Sequence, residues 1–370
     1  MFKRMLRTWA RKYLSEAPLP DPLSRAEQIS LAEIYGVRIP WELPVQYCAR
    51  DCIDKGDIVL DIGGHLGAVA IAFARMVGAN GRVYTFEPNR DMWPHLLRNL
   101  EINGARNVSH VPLACFSASG KLMQFYSEPS FYKAGSGLMN PSEAASAFDV
   151  VTISVDDFCA VNEICPAFLK MDVEGAEVYV LKSMRRLLVE VRPPIILEYA
   201  TGGPLDTSDP LCFLRDSGYV FFDVNTYQAV TPELYAQMPG TPLVNVLCLH
   251  QDSVLAARYS GLRATPVHDV DSFSAGTLTY SGMRLAPGRY VVAIEFYCPD
   301  ELTAGLGVRL EGEFVAYFEA DGAHLRQHSC SRLVIELEKT GDITVELVRK
   351  GSYDAGLRGI TVSRIELAEH

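Results

Sequence analysis

The chain has 370 residues, 48% hydrophobic and 21% charged, with 34 Lys and Arg against 45 Asp and Glu for a formal net charge of −11. This length accommodates two or three domains with real cores, and the apolar content excludes disorder, collagen and coiled coil as the main state. No apolar run approaches the roughly 20 residues of a membrane-spanning helix, and the acidic balance argues against a nucleic-acid partner, because phosphate backbones reward positive charge.

From the start of the chain, Phe2, Met5, Leu6, Trp9 and Tyr13 recur at helical spacing beside Lys3, Arg4, Arg7, Arg11 and Lys12. Such a basic amphipathic helix suits peripheral contact of residues 1–15 with an anionic inner-membrane surface, or packing on the protein itself. Residues 1–50 read as an N-terminal helical segment. They contain no apolar stretch followed by a small-residue cleavage site, so the expected location is cytoplasmic. The nine Cys form no CxxC pair, which favours buried, reduced thiols over a zinc ribbon or disulfide framework.

Residues 51–252 alternate short apolar strands with helical patterns, the signature of an α/β domain with a mostly parallel sheet and helices on both faces. Strands are expected at 58–61, 83–87, 108–113, 168–172, 195–199, 219–223 and 244–249, the last antiparallel. Helices are expected at 68–77, 90–102, 176–191 and 210–216, with Asn89 as an N-cap of the second. Between 127 and 148 the pattern gives way to a Ser-, Gly- and Pro-rich insertion, expected to be a binding loop. Its candidate acceptor-binding residues are Phe131, Tyr132 and Ser136. Residues 253–270 read as a linker. From 271 to 370 short alternating strands at 276–280, 289–297, 307–310, 314–319, 333–338, 343–348 and 360–367 predict a C-terminal all-β sandwich. Tyr290, Tyr297, Tyr317, Phe318 and Tyr353 suit its core better than a glycan-stacking platform.

The sharpest motif is Asp57–Gly67, DIVLDIGGHLG. Asp61 ends a strand, and Gly63, Gly64 and Gly67 open a turn that lets a ligand approach the backbone. The nicotinamide spacing G-x-G-x-x-G is broken by His65 and Ala68, which disfavours a pyrophosphate cradle. Glu87, ending the next strand, could accept both hydroxyls of a ribose. At the end of the fourth strand, Lys170, Asp172, Glu174 and Glu177 gather charge where open α/β sheets bind ligands.

The runs DIGGHLG, TFEPNRDMWPHLLRNLEIN, FLKMDVEGAEVYVLKSM and PIILEY resemble the FkbM family of S-adenosylmethionine-dependent O-methyltransferases over about residues 50–250. The resemblance implies a class I methyltransferase fold with a seven-stranded sheet. It implies that Asp61, Gly63 and Gly67, with Gly64 and His65 in the same turn, lie against the methionine part of the cofactor. Glu87 would hold the ribose, Leu113 and Ala114 would flank adenine, and Asp172 would touch the methyl-transfer zone. His65 departs from the Asn usual in the family. The expected activity is methyl transfer to a hydroxyl of a sugar, glycan or secondary metabolite.

Removal of the acceptor's proton calls for a base, expected to be Glu174, with Asp172 and His65 as rivals. Glu174 and Glu198 are candidates for holding the acceptor. A divalent metal on the carboxylates is not favoured, since no His-containing ligand set is visible. The alternatives are a non-catalytic glycan-binding or assembly protein that keeps the cofactor fold, and a nicotinamide-dependent oxidoreductase.

Overall fold

A computed structural model of the chain describes residues 43–127, 136–139, 146–200, 205–206, 208–237, 243–273, 276–297, 304–311, 313–320, 329–349 and 356–367. The basic segment 1–15 lies outside them. Among the described residues no helix is long and apolar enough to cross a membrane.

Helix α1 (Leu43–Cys52) leads into β1 (Ile58–Ile62), α2 (Ala68–Val77), β2 (Arg82–Phe86), α3 (Trp93–Ile102) and β3 (Val108–Val111). After a short β4 (Ala114–Cys115) come β5 (Leu122–Ser127), β6 (Ser146–Ile153), α4 (Val155–Asn162), β7 (Phe168–Met171), α5 (Glu177–Lys182), α6 (Arg185–Glu190) and β8 (Ile195–Ala200). The α/β part closes with α7 (Pro210–Asp216), β9 (Tyr219–Asp223), β10 (Ala229–Val230), α8 (Pro232–Ala236) and β11 (Leu243–His250).

The sheet order is β10-β9-β11-β8-β7-β1-β2-β3. β1, β2, β3, β7 and β8 run parallel, and β11 inserts antiparallel between β8 and β9. The seven expected strands and the reversed last one are therefore present, with β10 added at the edge. Side chains alternate between the two faces. Leu60, Leu169, Leu197 and Val246 join one core, against α4 to α7. Val59, Phe168, Ile196 and Leu247 join the other, against α1, α2 and helix α9 (Val254–Ser260). Each such fully buried side chain contributes roughly 1.5–3 kcal/mol.

Several expectations are corrected. The single helix over 176–191 is two, α5 and α6. Ser183 donates from Oγ to the Val180 carbonyl (2.6 Å), and Asp156 on α4 accepts from the amides of Arg186 and Leu187 (2.8 and 3.1 Å). A side chain from another helix thus caps α6 and stops α5 from running on. Asn89 is not the cap of α3, which starts three residues later after Met92; its Oδ1 accepts from the Asp91 amide, forming a local turn. The irregular reading of 127–148 begins and ends inside a hairpin, since β5 pairs antiparallel with β6.

The expected linker at 253–270 is instead helix α9 followed by β12 (Arg263–Val270). Ser253 caps α9 through its Oγ, and β12 pairs with the last strand of the chain. The strand escapes notice because it is an exposed edge with a bulge at Pro266, so it lacks apolar alternation.

The remaining strands are β13 (Thr279–Leu285), β14 (Gly288–Tyr297), β15 (Ala304–Leu310), β16 (Glu313–Ala320), β17 (Ser329–Leu337), β18 (Gly341–Arg349) and β19 (Gly356–Glu366). They form two antiparallel sheets, β12-β19-β14-β17 and β13-β18-β15-β16, which share one buried cluster including Val292, Ile294, Val308, Ile343, Val345 and Val362. Tyr290 lies in that core at 2% exposure, its hydroxyl donating to the Ala286 carbonyl, and so offers no ring to a glycan. The side chains of Tyr297, Tyr317, Phe318 and Tyr353 lie outside the described residues.

The first of these sheets also packs on the α/β part. Val334 and Ile365 enter the core that holds α1, α2 and α9. Arg289 on β14 donates to both oxygens of Asp51 on α1, at 2.5 and 3.2 Å, and lies over the Tyr227 ring. The Tyr259 hydroxyl donates to the same carboxylate (2.6 Å). Helix α1 is therefore a shared wall, and a boundary at residue 50 would cut through it.

Candidate active site

The chemistry-bearing residues converge at the carboxyl end of the sheet, where β1, β2, β7 and β8 stop side by side. Asp61 on β1 is fully buried. Its Oδ2 accepts from Thr85 Oγ1 on β2 (2.8 Å), while Oδ1 is buried without a hydrogen-bond partner. Burial pushes its pKa up, with the nearby Lys170 opposing.

After β1 the chain turns through Gly63 and Gly64, whose amides both donate to the Phe86 carbonyl (3.0 and 2.9 Å). Gly63 has φ 91°, and a Cβ there would stand 1.7 Å from the Asp172 carbonyl oxygen. A Cβ on Gly64 would stand 1.8 Å from Thr85 Oγ1. The turn is thus pressed onto its neighbours and tolerates no side chain at either position. His65 follows at φ 46°, and Gly67, also left-handed, is the N-cap residue just before α2.

Glu87 follows β2 and is 6% exposed. Its Oε2 accepts from the His65 amide (2.7 Å) and Oε1 from the Asn89 amide (2.6 Å). The carboxylate therefore ties the glycine turn to the turn after β2. Its own carbonyl accepts from Trp93 Nε1. Burial is the main cause that raises its pKa to about 7, despite the two amides. Each carboxylate oxygen retains a lone pair beyond the one it uses. Leu113 and Ala114 follow β3, both buried; their side chains belong to two packing clusters rather than to a surface.

Asp172 follows β7, its amide donating to the Ile62 carbonyl (2.9 Å). Lys170, 4% exposed, donates from Nζ to its Oδ2 at 2.7 Å. Burial would raise the Asp172 pKa, but the adjacent ammonium outweighs it and holds the carboxyl below its ordinary value. Glu198 on β8 is the opposite case. Burial, then the carboxylates of Asp172 and Glu174, push it up to about 10, so it carries its proton at neutral pH. Glu174 occupies a left-handed turn at φ 53°. Segment 136–139 lies over that turn: Gly137 bridges to Tyr126, and a Cβ on it would stand 3.1 Å from Glu174 Cβ. Ser136 is thereby placed next to the site, whereas Phe131 and Tyr132 lie outside the described residues. Glu177 is buried and accepts from the Val173 and Gly175 amides, which gives it a holding role for the turn.

Asp172, Glu174 and Glu198 bring carboxylate oxygens within 4.8 Å of one another. A trio this close can share a proton or a cation, and the Lys170 ammonium already lies against its Asp172 member. Sequence reading named all three acids and Lys170 beside them, and passed over Asn245 on β11. Its only signal was the strand register, which places it beside Glu198.

Residues 61–221 match the methyltransferase FkbM domain. Among curated proteins, the hexuronic acid methyltransferase AglP of Haloferax volcanii is 29% identical over 181 residues, covering 48% of this chain and 72% of the relative. Among solved structures, the methyltransferase FkbM of Methylobacillus flagellatus is 14% identical, covering 60% of this chain and 59% of its own, with a TM-score of 0.32. The precorrin-6y C5,15-methyltransferase of Geobacter metallireducens is 16% identical, covering 56% and 88%, with a TM-score of 0.34. The strand order and the domain match meet on the same residues: positions 61–221 of this chain are a methyltransferase domain of the FkbM family.

Proposed function

We propose that the chain is an S-adenosylmethionine-dependent O-methyltransferase acting on a hydroxyl of a sugar, a glycan or a similar polyhydroxylated metabolite. The observation that carries the reading is the side-chain-free turn at Gly63 and Gly64 between Glu87 and the buried, half-partnered carboxylate of Asp61. These residues fit the cofactor. Asp61 Oδ1 is a dry acceptor for a cationic ammonium, and the glycines allow close approach. Glu87 offers its remaining lone pairs to ribose hydroxyls, its carboxylate already held by two amides. Leu113 and Ala114 suit an adenine edge through their backbone, their side chains being committed to the cores.

Bound there, the cofactor supplies an electrophilic methyl group on a sulfonium. The protein's part is to align an acceptor hydroxyl and take its proton. Asp172 is a weak base, because Lys170 holds it ionised. Glu198, protonated and hydrogen-bonded to Asp172, does not deprotonate the acceptor. Glu174 remains the best-placed base, with His65 as rival. The name of the curated relative, a hexuronic acid methyltransferase, supports a sugar acceptor. The carboxylate trio leaves room for a divalent cation, which the proposed mechanism does not use.

The reading is tested by transfer of labelled methyl groups from S-adenosylmethionine to a panel of glycan and lipid-linked sugar extracts. Incorporation into a sugar hydroxyl is expected, and absence of transfer across the panel, with the cofactor bound, would favour the non-catalytic binding protein. On the acceptor so found, Glu174→Gln is expected to lower kcat about 10²-fold or more with cofactor affinity retained; unchanged kcat removes Glu174 as the base.

A further inference from the structure

The strand register lines up a row of polar side chains across five strands on one face of the sheet. Thr85 on β2 pairs with Asp61 on β1, and Asp61 with Lys170 on β7. Lys170 pairs with Ile196 on β8, two residues before Glu198 and so on the same face, and Glu198 pairs with Asn245 on β11. Their sequence neighbours Leu60, Leu169, Leu197 and Val246 all enter the opposite core. Five polar residues on one face, at the end of a sheet whose interior is otherwise apolar, form a built feature rather than scattered surface.

Within the row, Thr85 serves Asp61 and Lys170 serves Asp172. Two oxygens are left buried without a partner, Asp61 Oδ1 and Asn245 Oδ1. A dry acceptor is unfavourable unless some donor completes it. Asp61 lies at the glycine turn assigned to the cofactor. Asn245 lies at the far end, beyond Lys170 and next to Glu198, and directly paired strand positions stand only about 5 Å apart at Cβ. A small polar group seated beside Glu198 is therefore within reach of the Asn245 carboxamide.

We propose that Asn245 is a specificity-determining residue for the acceptor: its Oδ1 accepts a hydrogen bond from a hydroxyl of the sugar seated beside Glu198. The inference rests on the methyl-transfer reading. It adds that the group at this position must bring a proton. A hydroxyl does so and a carboxylate does not, and the ionised Asp172, whose carboxylate lies within 4.8 Å of that of Glu198, repels a uronate's charge, so a neutral sugar is favoured over a uronate there. Sites built to bond a hydroxyl reject analogues that lack it strongly, because the buried partner is then left alone.

The test uses the full chain saturated with S-adenosylhomocysteine and titrated with glucose or glucuronate, followed by ligand-observed NMR. Glucose is expected to bind at least tenfold more tightly than glucuronate. Asn245→Leu is expected to weaken glucose about tenfold or more with S-adenosylhomocysteine affinity unchanged, and Asn245→Asp, which keeps an acceptor oxygen, to stay within about threefold. If the Leu variant loses S-adenosylhomocysteine, Asn245→Ala is judged by the same criterion. Glucose binding that ignores these substitutions, a preference for glucuronate, or no saturable sugar binding overturns the inference. Failure of the wild-type chain to bind S-adenosylhomocysteine overturns the methyl-transfer reading instead.

Discussion

Gly63→Ala is expected to destabilise the fold by about 2–5 kcal/mol and to abolish cofactor binding. Two independent penalties add. The backbone sits at φ 91°, where an L side chain is disfavoured by roughly 1–2 kcal/mol. The added carbon would also stand 1.7 Å from the Asp172 carbonyl oxygen and 2.8 Å from its carbon. Those atoms are backbone, and the Asp172 amide is itself bonded to the Ile62 carbonyl, so the ends of β1 and β7 would have to part. Overpacking of that kind adds roughly 1–3 kcal/mol. Urea unfolding and calorimetric titration with S-adenosylhomocysteine check the two halves. A variant with wild-type midpoint and affinity would mean that the turn is not the rigid cradle described above.

Arg289→Met is expected to lower stability by a similar amount, about 3–5 kcal/mol, although it lies away from the site. Removal of one member of a buried ion pair leaves the other charge in a poor environment. Arg289 and Asp51 are 14% and 15% exposed, and among the described residues Asp51 would retain only the Tyr259 hydroxyl. Adding Asp51→Asn is expected to restore much of the loss, since the orphaned charge goes with it. Urea midpoints of the single and double variants decide this; a single variant within about 0.5 kcal/mol of wild type would show that the two parts of the chain are only loosely joined. The same geometry implies that a truncation before residue 263 would expose the apolar wall contacted by Val334 and Ile365.

The sheet was legible because its central strands are short apolar runs buried on both faces, and the glycine turn because positive φ and close packing leave few alternatives to glycine. Asp61, Glu87, Asp172, Glu174 and Glu198 could be found as carboxylates at strand ends. Strand β12 could not, because an exposed edge with Pro266 has no apolar period to read. The break between α5 and α6 depends on Asp156, a residue of a different helix, which no local pattern contains. Asn245 became visible only through pairing with a strand 47 positions earlier in the chain. The lowered pKa of Asp172 likewise follows from where Lys170 points, and the raised one of Glu198 from burial beside two carboxylates, both consequences of register and not of composition.

Glu87 offers the most direct test of the adenosyl site. Its folded pKa of about 7 lies above the ordinary Glu value of 4.5. Without ligand, the folded chain therefore prefers the protonated form, and the contribution of Glu87 to stability falls as pH rises from 4.5 through 7. A ribose that donates two hydrogen bonds favours the ionised form, so S-adenosylhomocysteine should bind more tightly as pH rises, by up to tenfold per unit below pH 7, and level off above. Calorimetric titration between pH 5.5 and 8 is expected to show that slope in the wild-type chain, and weaker, nearly flat binding in Glu87→Gln. Equal affinity in both proteins across the range, or no binding in either, would contradict the assignment.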